Sequence, residues 1–462
     1  MPPNNPVLMV AEMQAAEQAL IDAGTGVDAL MQRAGRGAAE WVWRMAAGRP
    51  VTVLCGPGNN GGDGYVIAEV LRGRGIDVMV VAPVEPKTGA AQNARALYEG
   101  EIVSGANERQ GALLVDCLFG SGLTRPLSND LLALLTKLAD RHGQRIAIDL
   151  PSGVESDSGA LLNPDLPRND LTLALGAWKF AHWTMPASAT MGARRLVDIG
   201  VRDTVAAATL SARPHLDPPA PDAHKYRRGL LAVVAGAMPG AGLLAATAAM
   251  HGGAGYVKLL ADRSHPAVPA ALVVDERPLA KALGDERIAA LLIGPGLGRD
   301  GAARERLGAV LDCCVPLVLD ADALMLLECR KFTGEALVTP HEGELAALCD
   351  TFGVSGEGKR GKAQALAAAS GLTVLAKGPD TVLCAPDGTT RLFAPGPSWL
   401  STAGTGDVLA GIAASRLATG LSAFTAAEQA VWLHHEAARI AGAAFTASEL
   451  AQAVKPAYAR FL

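Results

Sequence analysis

The sequence has few aromatic residues and no excess of basic ones. Of its 462 residues, 4% are aromatic, and 41 Lys and Arg stand against 46 Asp and Glu, for a net charge of −5. A nucleic-acid partner requires a basic surface that releases counterions, and single strands also require aromatic platforms for their bases. We therefore expect no nucleic-acid partner.

Cysteine is also scarce. The seven Cys form an odd count without a CxxC pair, and the adjacent Cys313 and Cys314 lack the spacing of metal ligands. We interpret all seven as reduced core thiols of a cytoplasmic protein. The N-terminal stretch has no basic region followed by a sustained apolar run, so it does not resemble a secretion signal.

One segment imitates a membrane span, since residues 229–257 carry no formal charge. Pro239 and Gly240 interrupt its middle, and Gly252 and Gly253 lie near its end. These residues divide the segment into a strand-like run, a loop and an Ala-rich helical stretch. We expect no membrane span.

The composition fits a folded protein of two α/β domains, with 50% hydrophobic and 19% charged residues. Short aliphatic runs alternate with helical stretches, which predicts parallel strands joined by crossover helices. The segment 211–229 concentrates Pro, His and charge between two such regions. We therefore predict domains at 1–212 and 229–462, joined by a Pro-rich linker at 213–228.

A glycine-dense string, CGPGNNGGDG at 55–64, follows an apolar run and precedes a helical stretch. Its glycines permit positive φ and bring backbone N–H groups close to an anion at a helix N-terminus. It is not a P-loop, because no Lys-Ser/Thr pair follows, and it lacks the GxGxxG spacing. The alternative is an ordinary tight turn from strand to helix.

Two further strings place polar residues where strands end. VDCLFGSGL carries Asp116 and is followed by the loop 120–126, and IDLPSG carries Asp149 and Ser152. Ligands of an open parallel sheet bind beyond the carboxyl ends of its strands, so these loops can form one pocket. With GNNGGDG, these strings make residues 1 to about 210 resemble the NAD(P)H-hydrate epimerase family.

The resemblance implies a Rossmann-like three-layer αβα sandwich and a role for several residues. Asn60, Asp116 and Ser152 would hold a potassium ion, and Asp149 would be the catalytic acid/base at the hydrated nicotinamide carbon. Besides Asp149, the implied substrate contacts are Asn59, Asn60, Gly61, Gly62, Asp63, Gly120, Ser121, Gly122, Leu123, Thr124, Arg125 and Pro126. Taken alone, Asp149 also suits a turn or helix cap before Pro151.

The second half carries the string STAGTGDVLAG at 401–411. Gly404, Thr405 and Gly406 open a helical stretch, so their backbone amides can form an anion hole. Asp407 stands where it can take a proton from a hydroxyl as phosphoryl transfer begins. The alternative is a glycine turn with an acidic residue in the first turn of a helix.

Other strings in this half occur in a characteristic order: GAMPGAGLL, LIGPGLG, LDADAL, VTPHEGE, LAKGPDT and AGTGDVLAG. From about residue 225 onward the chain resembles the ribokinase-like ADP/ATP-dependent NAD(P)H-hydrate dehydratase family. The resemblance implies that Asp407 is the catalytic base and, together with Ala241, Gly296 and His341, contacts the hydrated cofactor. The implied nucleotide-binding residues are Lys377, Gly378, Pro379, Asp380, Thr381 and Gly406, with Mg²⁺ as the metal and ADP as the co-substrate.

The chain departs from this family pattern at three places. Glu342 interrupts a common PHPGE motif, Met325 stands where Asn is common, and Trp399 lies in a Ser-Trp-Leu run where a Gly-Met pair is common. His341 therefore retains a purely structural alternative. Neither His341-Glu342 nor His434-His435-Glu436 completes a zinc-binding HExxH motif.

The two resemblances together imply a bifunctional metabolite-repair enzyme, and one that forms homo-oligomers. The first domain would interconvert R and S NAD(P)H-hydrate, and the second would dehydrate the S form with ADP, giving AMP and phosphate. The alternative is a ribokinase-like kinase of a small alcohol with a non-catalytic N-terminal binding module. The glycine loops present the same phosphates for ADP and ATP, and no residue distinguishes the NADH hydrate from the NADPH hydrate.

Overall fold

The structure, a computed structural model, describes residues 5–105, 111–202, 204 and 206–462. The chain forms two compact units, Met1–Leu210 and Ser211–Leu462. Each unit is built around its own predominantly parallel sheet.

The first unit alternates strands and helices along most of its length. In chain order its elements are β1 (Pro6–Leu8), α1 (Val10–Asp22), α2 (Val27–Ala46), β2 (Val51–Cys55), α3 (Asn59–Gly73), β3 (Val78–Val81), α4 (Gly89–Ala96), β4 (Glu101–Val103), β5 (Gly111–Cys117), α5 (Asn129–Arg141), β6 (His142–Ile148), β7 (Leu171–Leu175), β8 (Trp178–Lys179), β9 (Ala193–Val197) and β10 (Ala208–Leu210). Short 3₁₀ turns occur at Phe180–His182 and Ala187–Thr190.

In the described part of this unit, seven strands form a parallel sheet in the order β4-β3-β2-β5-β6-β7-β9. Side chains alternate between the two faces of a strand. Val53 of β2 packs in a core with residues of α2 and α3, and the next residue, Leu54, packs in another core with α5. The sheet therefore lies between two helical layers, as the Rossmann-like prediction requires.

The strand order places a crevice between β2 and β5. The chain runs outward from β2 through β3 to β4, then returns to add β5 on the other side of β2. Such a reversal separates the loops that leave the two central strands and is the usual ligand position in an open α/β sheet. The loops at 56–58 and 118–128 leave these strands.

The second unit repeats the alternation. Its elements are β11 (Leu230–Val234), α6 (Pro239–His251), β12 (Tyr256–Leu260), β13 (Val273–Asp275), α7 (Leu279–Leu283), β14 (Ile288–Ile293), α8 (Gly301–Leu311), β15 (Leu317–Leu319), α9 (Asp322–Leu326), β16 (Ala336–Val338), α10 (Glu342–Phe352), α11 (Gly358–Ser370), β17 (Thr373–Ala376), β18 (Val382–Cys384), β19 (Thr390–Leu392), α12 (Thr405–Ala418), α13 (Ala423–Ala441) and α14 (Ala447–Ala459). A 3₁₀ turn at Ser398–Leu400 precedes α12.

Its strands follow the order β13-β12-β11-β14-β15-β16-β17-β18-β19. The pairs from β13 to β17 are parallel, and β18 and β19 add antiparallel. Small residues of α6, α12, α13 and α14 pack with these strands in one large core rich in alanine. A reversal of strand order lies between β11 and β14, so a second crevice opens there.

The uncharged segment 229–257 contains β11, α6 and the start of β12, in agreement with the prediction. Pro239 is the first residue of α6 rather than part of a loop, because a missing N–H costs nothing at that position. In the described part of the chain, no helix has the length and apolarity needed to cross a membrane.

Two other predictions concern the cysteines and the linker. All seven cysteines are free, but Cys314 and Cys329 are exposed and Cys313 is half-buried, so the prediction of core thiols is wrong for these three. Residues 213–228 form no helix or strand. Leu216, within that stretch, is buried in the core of the second unit.

Candidate active sites

In the first unit, α3 begins directly at the crevice. Asn59 is its first residue, and its amide oxygen accepts a hydrogen bond from Thr88. Both polar side-chain atoms of Asn60 are buried and make no hydrogen bond among the described residues. Its amide carbon lies where a side chain at Gly120 would contact it. Asn60 is therefore a buried polar group that lacks a partner at a loop from the neighbouring strand.

The glycines that follow do not have the conformation that we predicted from sequence. Gly61, Gly62 and Gly64 are helical residues of α3 with negative φ. A Cβ at Gly61 would collide with the backbone oxygen of Gly56, and one at Gly62 would collide with Met31. These positions need glycine because the chain approaches closely, not because φ is positive.

Asp149 follows β6 in a left-handed conformation with φ of +64°. For a residue other than glycine, such a conformation costs roughly 1–3 kcal/mol, and the conformation persists only where the surrounding structure holds it in place. Here the Asp149 N–H donates to Leu173, and its carbonyl accepts from Nε2 of His182 at 2.8 Å. Backbone strain of this kind is concentrated at functional sites.

The carboxylate of Asp149 faces a buried lysine. Lys179 Nζ donates to Asp149 Oδ1 at 2.6 Å, and the Ser121 N–H donates to Oδ2 at 3.0 Å. Burial alone would raise the pKa of Asp149, but the charge and hydrogen bond of Lys179 outweigh it and hold the pKa below its ordinary value. Asp149 is thus ionised and aligned at neutral pH.

Asp116 and Ser152 form a second polar pair beside the same loop. Ser152 donates from Oγ to Asp116 Oδ1 at 2.7 Å and from its N–H to Oδ2 at 2.9 Å. The Phe119 N–H donates in turn to Ser152 Oγ. Phe119 precedes Gly120, so the Asp116–Ser152 pair and Asn60 meet the same short segment of chain.

A cavity of about 360 Å³ opens beside these groups. Its lining includes Asn59, Asn60, Asp63, Gly120, Ser121, Gly122, Leu123, Asp149, Glu17 and Lys179. Burial, with the nearby charges of Asp149 and Glu17, raises the pKa of Asp63 well above its ordinary value. Burial also raises the pKa of Glu17.

Most of the residues predicted for substrate therefore lie at one cavity. Gly61 and Gly62 are buried inside α3, and Thr124, Arg125 and Pro126 are exposed and are not among the lining residues. The sequence analysis did not single out Lys179, His182 or Glu17. A lone lysine and histidine in the apolar run LTLALGAWKFAHW were the available signal for the first two.

In the second unit, α12 begins at Thr405, with Gly404 before it at φ of +88°. This left-handed N-cap suits glycine and directs the first amides of the helix outward. Asp407 lies in the first turn, and its carboxylate makes no hydrogen bond within the described residues. Burial raises the pKa of Asp407 to about 6, with a further rise from Asp320 and an opposing effect of Lys377. A carboxyl group with this pKa suits a general base.

Lys377, which follows β17, lies at the start of α12. Its Nζ is 3.4 Å from where a side chain on Gly406 would begin. The same Nζ donates to Asp320 Oδ1 at 2.7 Å, and Thr339 donates to that oxygen as well. Asp320, 1% exposed and part of the LDADAL string, thus holds the predicted nucleotide lysine above the helix N-terminus.

The remaining nucleotide residues form a compact turn after Lys377. Thr381 donates to the carbonyl of Gly378, and Asp380 forms a buried ion pair with Lys359 of α11. Gly378 lies against the same lysine. The sequence analysis did not identify Lys359, because nothing near it in sequence indicates a partner in the turn between β17 and β18.

Ala241 and Gly296, predicted to contact the hydrated cofactor, lie together at the crevice between β11 and β14. A side chain at Gly296, where φ is +62°, would collide with Met238 and Ala241. His341, also predicted to contact the hydrated cofactor, caps α10, since its Nδ1 accepts from the N–H groups of Gly343 and Glu344. Its side chain is largely exposed, and its Nε2 lies 3.5 Å from Glu344 Oε1.

His434 of α13 supports the same helix start. It is buried, and its Nε2 lies 2.9 Å from the carbonyl oxygen of Thr405. Burial lowers the pKa of His434 to about 4, so the ring is neutral and donates to that carbonyl.

Each of the two units thus has polar groups at the carboxyl ends of its central strands, which is the arrangement of an α/β enzyme. A family model described as NAD(P)H-hydrate dehydratase matches residues 231–458. A second model, described as YjeF-related protein N-terminus, matches residues 27–181.

Similar proteins extend over almost the whole chain. The bifunctional NAD(P)H-hydrate repair enzyme of Salinibacter ruber is 34% identical over 95% of this chain and 92% of its own length. The enzyme of the same description from Mycobacterium tuberculosis is 34% identical over 90% of both chains. The ADP/ATP-dependent NAD(P)H-hydrate dehydratase of Bacillus subtilis, crystallised with ATP and Mg²⁺, is 28% identical, with a TM-score of 0.48 over 54% of this chain and 95% of its own.

The chain belongs to the family of bifunctional NAD(P)H-hydrate repair enzymes. The identity and coverage of these relatives confirm both resemblances seen in the sequence. They do not favour the alternative of a small-alcohol kinase with a non-catalytic N-terminal module.

Proposed function

We propose that the first unit interconverts the R and S epimers of NAD(P)H-hydrate and that the second dehydrates the S epimer with ADP. The observation that carries the proposal is that each unit has its own carboxyl group suited to proton transfer. The pKa of Asp149 is lowered, so it is ionised, and the pKa of Asp407 is about 6, which suits a proton acceptor. Only one epimer would be consumed, so the first activity makes the whole hydrate pool available to the second.

In the first unit, Asp149 acts as the general acid/base for the hydroxyl at the hydrated carbon. The carboxylate accepts this proton and delivers it to the ring nitrogen, which takes the electron pair of the C–N bond as the carbon becomes a carbonyl; closure on the other face of the carbonyl reverses both transfers. The bonds and charges balance without a redox step. The N–H of Ser121 keeps Oδ2 in place beside Gly120 at the edge of the cavity.

Potassium fits the donors present in this unit. Asn60 offers a buried amide oxygen without a partner, and Asp116 and Ser152 offer hard oxygen atoms beside the same segment. We propose that these three residues hold K⁺, which would supply fixed positive charge beside the substrate loop.

In the second unit, Asp407 accepts the proton of the substrate hydroxyl, whose oxygen then attacks the β-phosphorus of ADP and displaces AMP. Elimination of phosphate and a neighbouring proton from the resulting ester gives NAD(P)H. Phosphate leaves far more readily than hydroxide, so the nucleotide makes the dehydration feasible. The amides at the start of α12, together with Lys377, stabilise the transferred charge.

Mg²⁺ suits this unit because it is bound with nucleotide phosphates by one or two carboxylates. Asp320 and Asp322 add negative charge near Asp407, on the side of this unit where the nucleotide phosphates are proposed to bind. Bound Mg²⁺ would neutralise phosphate charge. Within the part of the chain that the structure describes, no three His, Cys, Asp or Glu side chains converge to hold a metal by themselves.

The proposal is tested by the absorbance of reduced nicotinamide after incubation of the full chain with a mixture of R and S NADH-hydrate, Mg²⁺ and K⁺. With ADP we expect complete recovery of NADH, the R fraction included. Recovery with ATP and not with ADP would mean that ATP is the phosphoryl donor. Formation of a stable phosphate ester would contradict the dehydratase assignment.

Replacement of Asn60 tests the potassium site. We expect Asn60→Ala to raise the K⁺ concentration for half-maximal epimerisation at least about tenfold, equivalent to a loss of about 1.4 kcal/mol in binding. Asn93→Ala, which removes an exposed amide from α4 of the same unit, is the matched control and should leave this concentration unchanged. Equal K⁺ dependence of both variants would contradict the site.

We also propose a cytoplasmic homo-oligomer. Free cysteines, including the exposed Cys314 and Cys329, suit a reducing compartment. Light scattering of the purified chain would determine the number of subunits.

A further inference from the structure

The cavity of the first unit contains one cation among the described residues that line it. Lys179 is 1% exposed. Its Nζ donates to Asp149 Oδ1 and to the carbonyl of Leu175, both at 2.6 Å. A buried ammonium group is stable only when its charge is compensated and its hydrogen bonds are made, so Lys179 and Asp149 depend on each other.

Three carboxyl groups line the same cavity: Glu17, Asp63 and Asp149. Burial raises the pKa of Glu17 and of Asp63; the charge of Asp149 raises both pKa values further, and the charge of Lys179 opposes the rise in both. Only Asp149 receives the direct hydrogen bond of Lys179, and only its pKa falls below the ordinary value. The direct contact with Lys179 therefore favours the ionised form of Asp149 over the ionised forms of Asp63 and Glu17.

His182 makes hydrogen bonds with the backbone of both Lys179 and Asp149. Its Nδ1 accepts from the Lys179 N–H at 2.9 Å, and its Nε2 donates to the Asp149 carbonyl at 2.8 Å. Burial and the charge of Lys179 lower the pKa of His182 to about 4, so the ring stays neutral and keeps this arrangement at physiological pH. The strained turn at Asp149 is thus held through its backbone, and the carboxylate is held through Lys179.

We propose that Lys179 is a positioning residue of the epimerase, which keeps Asp149, rather than Asp63 or Glu17, as the ionised base and aims its second oxygen into the cavity. The inference rests on the proposed epimerase function of this unit. Lys179 acts through Asp149: its contact occupies Oδ1 and leaves Oδ2 beside Gly120, where a Cβ would approach to 3.0 Å.

The test is the pH profile of Lys179→Gln in the full chain. The R epimer of NADH-hydrate is incubated with K⁺ but without nucleotide, which leaves the dehydratase inactive, and the epimers are separated by chromatography. Loss of the ammonium leaves a buried carboxylate without its counter-charge, a situation that can raise a pKa by about 3 units or more. We expect the rate to fall about 100-fold near pH 6 and to recover towards pH 9, whereas the wild type keeps a constant rate over this range.

Thr172→Val is the matched control. Thr172 is a fully buried residue of β7 in the same sheet, and the variant deletes the hydrogen bond that its hydroxyl donates to the Met191 carbonyl. It should lower the melting temperature without changing the pH profile. A loss in Lys179→Gln that is equal at every pH, or no loss, would overturn the inference. A wild-type rate that itself falls between pH 9 and about 6 would also overturn it, even if Lys179→Gln does not fold. Absence of epimerisation by the wild type would instead reject the proposed function.

Discussion

Asp149→Asn should halt the recovery of NADH at the S fraction of the hydrate mixture. The amide cannot accept the hydroxyl proton, and loss of general acid–base catalysis costs about 100-fold to 10,000-fold in rate. The dehydratase of the same chain would still consume the S epimer with ADP. The R fraction would then react only as fast as it epimerises without catalysis, which the progress curve shows directly as a second, slow phase.

The same substitution has a structural cost that can be measured separately. An Asn side chain has one acceptor oxygen, so either Lys179 or the Ser121 N–H would face an NH₂ group. We expect a loss of about 3–5 kcal/mol in the free energy of unfolding of the first unit, because the substitution leaves the buried ammonium of Lys179 without its counter-charge. A cooperative melt together with an unchanged dehydratase rate would show that the catalytic loss is not caused by unfolding. Complete recovery of NADH at the wild-type rate would remove Asp149 from the mechanism.

The strands of both sheets could be predicted from sequence because a buried parallel strand is a short, nearly continuous aliphatic run. The aliphatic stretches that lead into Cys55, Asp116 and Asp149 became β2, β5 and β6, and the polar residues at their ends meet at one crevice. The crevice depends on the return of the chain from β4 to β5, which local patterns do not encode. The sequence analysis brought these loops together only through the general rule that ligands bind beyond the carboxyl ends of parallel strands, and through the family resemblance.

Contacts within the two sites were harder to predict. Lys179 and Asp320 each neutralise a charge that lies 30 or more residues away along the chain, so no local pattern indicates either pair. The glycines of α3 were identified for the wrong physical reason, because sequence shows that a side chain is absent but not whether conformation or close packing requires its absence. His341 was identified by its motif, and the structure adds that the ring caps α10.

Asp407→Asn should abolish the dehydratase and spare the epimerase. We expect at least about a 100-fold fall in NADH formation from the S epimer with ADP, because the hydroxyl keeps its proton as it attacks phosphorus. Interconversion of the epimers without nucleotide should proceed at the wild-type rate, which provides an internal control in the same chain. NADH formation at an undiminished rate would show that another group accepts the proton.

The pKa of Asp407 also predicts how the wild-type dehydratase responds to pH and how this variant responds to heat. With a folded pKa of about 6, the base is protonated below that pH, so the rate at subsaturating substrate should fall about tenfold per pH unit below 6 and level off above 7.

Because the folded pKa of Asp407 lies above the ordinary value of 3.8, ionisation of Asp407 destabilises the fold. This loss of stability is absent below about pH 4 and complete above about pH 6. Asp407→Asn removes this penalty at neutral pH. Since solvent reaches the half-buried group, we expect a gain of only about 1 kcal/mol, seen as a rise of about 2–4 °C in the melting temperature of the second unit at pH 8 and little change at pH 4. An equal rise at both pH values would show that the gain comes from packing rather than from the charge of the base.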